Sequence, residues 1–309
     1  MRKTQLRLVA TTIVILVFGL VAAACSSSNN NASSEAQSSP TSTPTVSSKA
    51  IPQVEALVPA NIKSKGTLTV AADATYAPNE FIAPDGHTVI GMDADLAKAL
   101  GQTMGLKVNM VNATFDTIIP GLASGKYDLG MSSFTDTKER EKTVDFVTYF
   151  NAGTSFYIKS GGPNIGSLAD LCGHTVAAEK GTTQQADAEA QSTKCKNAGK
   201  PPVTVQVFND QNQVNLALSS GRAQVAMADS PVVEYQVKKS GGTFKIVGSP
   251  ISYGAAPYGI AIPKNSGMTK AVLGGVMALM ANGTYKQILT KWGVQSGAIS
   301  NPVINGARS

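Results

Sequence analysis

A strand-helix-strand-helix-strand alternation runs twice through this chain and does not start a third time. That pattern restricts the fold more than any other feature. Residues 66–73 (GTLTVAAD) alternate as a strand does, and Pro84, Asp85 and Gly86 make a turn. Over residues 93–104, apolar Leu96, Ala97, Leu100 and Met104 recur at spacings of three and four, predicting a helix that Gly105 stops. Residues 107–111 read as the next strand. Thr114 can cap a helix running to residue 124, in which Pro120 costs one backbone hydrogen bond. Residues 127–131 form the third strand, with Tyr127, Leu129 and Met131 on one face. This order predicts a right-handed parallel sheet covered on both sides.

Strands at 175–178, 203–208, 224–228 and 244–247 then alternate with helices at 182–196, 211–219 and 231–239. The remainder, a strand at 258–262 and helices at 268–280 and 285–292, is too small to close a core alone, so it must pack on the first unit. The chain then crosses between two lobes twice, near 153–157 and 248–257, leaving a hinged cleft. The expected organisation is lobe 1 at 60–152 plus 257–300 and lobe 2 at 153–256.

Arg2, Lys3 and Arg7 precede a 14-residue apolar run at 8–21, and Ala22, Ala23 and Ala24 lead into Cys25. The run is shorter than the ~18 residues of a spanning helix, and the arrangement reads as an export signal over 1–24. Small residues before a cysteine also resemble a lipobox, with Cys25 as the lipidated N-terminus. Ala22 stands where that pattern usually has leucine, so plain cleavage after Ala24 remains an alternative. Residues 26–50 hold ten serines and two prolines and scarcely an apolar side chain. Such a segment cannot offset its own ordering entropy, and as a coil it would span about 27 Å. We expect the tether at 25–59 and the protein at the outer face of the cell membrane. Setting aside the three basic residues of the leader, the net charge falls from +6 to +3, too mild to point to nucleic acid.

Cys172 and Cys195 form an even pair in the exported body, most simply a disulfide worth about 3 kcal/mol. Metal binding is the weaker reading, because only His87 and His174 are present and neither has ligand spacing. No cofactor motif occurs.

After the third strand, Ser132, Ser133 and Thr135 sit at its carboxyl end, where open α/β sheets hold their ligands. Arg140 follows, and a guanidinium suits a carboxylate. The plain alternatives are turn-forming serines and a solvated charged face over residues 138–142.

From about residue 66 to 292, the chain resembles the extracellular solute-binding proteins of family 3, the polar amino-acid receptors of ABC importers. The landmarks run in order: DATYAPNEF at 73–81, GMDADLAKAL at 91–100, FDTIIPGLASGKYD at 115–128, SSFTDTKER at 132–140, VDFVTYF at 144–150, KGTTQ at 180–184, SGRAQVAMAD at 220–229, PYGIAIPK at 257–264 and NGTYKQILTKW at 282–292. The resemblance implies a two-lobed α/β periplasmic-binding-protein-like fold of type II with two hinge crossings and a ligand cleft.

It also implies roles. Arg140 resembles the arginine that takes the ligand α-carboxylate, helped by the backbone N–H groups of Thr135 and Thr183, with Thr182 and Thr183 opening a helix whose N-terminus favours anions. Asp229 resembles the carboxylate that receives the α-ammonium; an N-cap ahead of Ser230 and Pro231 is the plainer reading. Tyr76 and Phe115 match positions that sandwich the ligand's aliphatic part, although Phe115 also reads as core. Asp73 matches a position that meets the far end of basic or amide ligands, which favours arginine, lysine, ornithine, histidine or glutamine. Asn79 stands where the family commonly has an aromatic residue. Glu80 either adds a second acid or faces water.

The expected function is a monomeric receptor, not an enzyme, that delivers a polar amino acid to an ABC permease without a cofactor, a metal or nucleic acid. The alternative is an exported dehydratase of the same fold acting on a cyclic carboxylic acid, with Glu80 and Asp73 as its acid and base. No histidine lies near the motifs and no P-loop occurs, which weighs against it. A receptor module would need a second spanning segment, and no sufficient apolar run follows Cys25.

Overall fold

The computed structural model of the protein describes residues 49–308; the export signal, Cys25 and most of the proposed tether lie outside the described residues. Helices α1 (Pro52–Glu55) and α2 (Ala60–Lys65) lead into strand β1 (Thr67–Ala72). Short strands β2 (Thr75–Tyr76), β3 (Glu80–Ile82) and β4 (Val89–Ile90) then form a small sheet of their own. They are followed by α3 (Met92–Thr103), β5 (Lys107–Asn112), α4 (Phe115–Ala123), β6 (Leu129–Gly130) and the long β7 (Val144–Lys159). The second unit contains β8 (Thr175–Glu179), α5 (Thr183–Asn197), β9 (Thr204–Phe208), α6 (Gln211–Ser219), β10 (Val225–Asp229), α7 (Ser230–Lys239) and β11 (Phe244–Val247). A second long strand, β12 (Tyr253–Pro263), returns the chain to helices α8 (Thr269–Ala281) and α9 (Thr284–Trp292).

The sheet order β5-β1-β6-β12-β7-β10-β8-β9 places one parallel triplet at each end and the two long antiparallel strands in the middle. The expected parallel sheet holds for the triplets only, because the return strands enter each sheet antiparallel. Both crossings are uninterrupted strands: β7 pairs with β12 from Val144↔Pro263 to Tyr253↔Thr154. The one-face alternation read at 127–131 narrows to the two-residue β6, although Asp128 N–H and Met131 N–H still reach β1 at the carbonyls of Thr69 and Ala71.

One core packs α3, α8 and α9 on β1, β7 and β12 around Leu68, Val70, Leu100, Val147, Ile260 and Val276. Val54 and Val58 belong to it, so residues 51–59, assigned above to the tether, fold onto lobe 1: they carry apolar side chains that the serine-rich stretch lacks. In lobe 2, one core on α6 and α7 gathers Tyr157, Val214, Leu218, Val232 and Val233, while another on β8, β10 and α5 gathers Phe156, Leu171, Val176 and Met227. Cys172 and Cys195 form a disulfide that ties the end of α5 to the approach to β8. Residues 303–305 return to β7, where Thr148 N–H donates to the Val303 carbonyl and Asn305 N–H to that of Phe146.

Candidate ligand-binding site

One strand of the first parallel triplet and two of the second deliver an acid to the same place: β1 runs into Asp73, β8 ends on Glu179 and β10 ends on Asp229. Strand carboxyl ends are where open α/β sheets form their crevices. These acids line one cavity with Tyr76, Phe115, Ser132, Ser133, Thr135, Arg140, Thr182, Thr183 and Gln184. The empty space among these residues, open solvent included, is about 290 Å³. Ten of the eleven expected residues are brought together there; Glu80 is not among them.

Arg140 opens a 3-10 turn over Arg140–Lys142, and its guanidinium donates from Nη1 to the Thr135 carbonyl at 2.7 Å and from Nη2 to the Gly181 carbonyl at 2.9 Å. The first bond is within lobe 1 and the second reaches lobe 2. The cation lies 5.2 Å from the Phe115 ring centre, and Phe115 stacks on Phe134 at 4.6 Å. Phe115 therefore both joins the core and faces the cavity. Burial lowers the Arg140 pKa to about 10, with Asp229 opposing that shift, so the guanidinium stays charged near neutrality. Gly181 suits its place because a Cβ there would lie 3.1 Å from that of Asp116, and its φ is +78°.

Asp229 stands at the N-cap position of α7 but makes no side-chain capping bond. Its oxygens turn inward, accepting from Gln184 Nε2 at 2.7 Å and from the Tyr258 hydroxyl at 2.7 Å. Its backbone N–H donates to the Tyr76 hydroxyl at 3.0 Å, so Tyr76 spans from one lobe to the other. Burial raises the Asp229 pKa to about 6, against the two hydrogen bonds and Arg140. Thr182 caps α5 by accepting from Gln185 N–H, which leaves Thr183 in the first turn of the helix.

At the far end, Asp73 accepts from the Thr75 hydroxyl at 2.6 Å and from Phe115 N–H at 3.0 Å. Burial nevertheless raises its pKa. Glu80 lies beneath this floor, fully buried, and takes hydrogen bonds from the hydroxyls of Ser132 and Ser133. Burial first, then the neighbouring Asp93, pushes its pKa well up, which favours its protonated form, and it is not a wall of the cavity. Tyr149 donates to both oxygens of Asp93, whose pKa burial raises to about 6. Asn79 donates to Ser133 Oγ at 2.9 Å, so the missing aromatic residue is replaced by a polar strut. Ser133 itself sits at φ 49°, a left-handed backbone uncommon for a side-chain-bearing residue.

Glu179 and Gln184 escaped the sequence reading. Glu179 directly precedes the KGTTQ motif and ends its strand as VAAE, beside VAAD at Asp73 and VAMAD at Asp229. That shared ending was the available signal. Around the cavity the lobes are joined by Gln211 N–H to the Thr75 hydroxyl at 3.1 Å and by an ion pair between Lys180 and Asp116 at 2.9 Å.

The family described as bacterial extracellular solute-binding proteins, family 3, matches residues 68–295. The chain belongs to this family. This solute-binding protein is 32% identical over 272 residues to arginine-binding protein ArgT of Corynebacterium glutamicum, covering 88% of each chain. It is 33% identical over 232 residues to the L-arginine-binding protein of Pseudomonas aeruginosa, covering 72% of this chain and 86% of that one. Among solved structures, an ancestral arginine-binding protein bound to arginine matches with a TM-score of 0.67 and 37% identity, covering 74% of this solute-binding protein and 98% of that chain. The two-lobed type II fold follows from both the topology and these relatives.

Proposed function

We propose that the protein is an extracytoplasmic receptor that holds a polar amino acid with a basic or amide side chain between its lobes and passes it to an ABC importer. The observation that carries this reading is the opposition of Arg140 and Asp229 across one cavity whose far end is acidic. A zwitterion supplies a carboxylate for the guanidinium and an ammonium for Asp229, so each buried charge finds a partner. Asp73 then prefers a cation or an amide donor, since an apolar or acidic side chain would leave it unpaired. Arginine, lysine, ornithine, histidine and glutamine meet that condition, and the arginine-binding names of the relatives weigh toward the basic ones.

The protein is a binding protein, not an enzyme, in keeping with the solute-binding family and the binding proteins it resembles. Tyr76 and Phe115 pack the aliphatic part of the ligand, and Ser132, Ser133, Thr135, Thr182 and Thr183 supply the remaining polar contacts. In this reading lobe 1 is 60–152 plus 257–300, with residues 51–59 and 303–305 packed on it, lobe 2 is 153–256, and the receptor acts as a monomer. Residues 1–24 direct export, and lipidated Cys25 with the serine-rich stretch tethers the receptor to the outer face of the membrane. Isothermal titration with the twenty amino acids plus ornithine tests the central statement: saturable binding of a basic or amide member is expected, and no binding by any of them overturns it.

A further inference from the structure

Glu179 is only 2% exposed, lines the cavity, and its Oε1 has no hydrogen-bond partner among the described residues. It faces Asp73, with Asp210 at the N-cap of α6, Asp229 at the end of β10, Tyr76, and Tyr157 on β7 as its other titratable neighbours. Lys180, the next residue, is engaged by Asp116. Arg140 and Asp229 suffice for the two poles of a zwitterion, so Glu179 and Asp73 form a second acidic pair that no cation among the described residues is seen to neutralise.

The two members of that pair are not equivalent. Asp73 accepts hydrogen bonds on both oxygens, which favours its ionised form, whereas nothing donates to Glu179 Oε1. Burial and then the charge of Asp73 drive the Glu179 pKa upward, in the same sense as the geometry.

We propose that Glu179 reads the charge of the ligand side chain, holding a proton in the unliganded protein and giving it up to solvent when a guanidinium or ammonium head group takes its place. This rests on the amino-acid-binding reading above. A neutral amide does not displace the proton, so the pair separates basic from amide ligands, a choice Asp73 alone does not make.

The test is titration of the full chain with L-arginine and L-glutamine at pH 7, in phosphate and in Tris, whose different ionisation enthalpies reveal protons released. Arginine binding by the wild type is expected to release roughly half to one proton and to strengthen as pH rises, by up to about tenfold per unit. Glu179→Gln is expected to abolish the release and to lower the arginine-to-glutamine affinity ratio by about tenfold or more. The ratio is internal to one protein, so partial misfolding of the variant does not alter it. A wild type that binds arginine without releasing protons, or a variant that keeps the ratio within about twofold, overturns the assignment of Glu179 while leaving the receptor function standing. Failure of the wild type to bind any amino acid would instead remove both.

Discussion

Arg140 is held on a carbonyl from each lobe, so its fork is oriented before a carboxylate arrives. Arg140→Lys keeps the charge but cannot satisfy both carbonyls and a carboxylate in the same plane. Titration should show affinity for the preferred amino acid reduced by about 100-fold, equivalent to ~2.7 kcal/mol; a change of twofold or less would show that the anion is gripped elsewhere. At this scale the sequence was informative wherever a motif gave both residue and register. Arg140, Asp229 and Asp73 each came from a motif, and the structure sets them around one cavity. Glu80 was misplaced because alternation along three residues of β3 does not say which face meets the cavity and which meets Asp93. Glu179 was passed over because the strand was read as ending at residue 178, one short of the acid, and the ending it shares with the strands of Asp73 and Asp229 was not compared.

The amphipathic helices were legible almost to the residue, since a three-and-four spacing survives wherever one face packs on a sheet, as in α3 and α8. The long strands β7 and β12 were not read as continuous. They are buried on both faces over much of their length, which erases the two-residue alternation. Strands β2, β3 and β4 are two or three residues each, too short for any period to register. The cysteine pair was legible from counting alone. Its position matters for the site, because the loop it closes contains β8, Glu179 and the start of α5, which with Asp229 make up the wall that lobe 2 contributes to the cavity. Replacing both cysteines by serine should lower stability by about 3 kcal/mol in urea denaturation, by the chain-entropy cost of a loop this long. Unchanged stability would mean that the cores of lobe 2 hold that wall unaided.

For the whole molecule, the concentration of buried acids around one cavity sets a pH dependence. Asp229 and Asp93 titrate at about 6, and burial raises Asp73, Glu80 and Glu179 as well. A carboxyl with a raised folded-state pKa keeps its proton in the fold after the unfolded chain has lost it, so these groups favour the folded protein less as pH climbs through the folded value. Between pH 5 and 7 the unliganded protein should lose stability, Asp229 alone contributing on the order of 1 kcal/mol. Melting temperatures at pH 5, 6 and 7 check the sign, and a rise toward pH 7 would contradict it. A saturating basic amino acid should raise the pH 7 value most, since its cations meet the charges that burial left exposed to one another.

The twin strands joining the lobes are laced to each other from Val144 to Thr154, with irregular register near Tyr253 and Gly259. A ribbon of that kind bends like a leaf spring: twist spreads over many residues and neither half can slide sideways without stripping its rungs. Relative displacement of the two halves is therefore confined largely to bending and twisting of this ribbon.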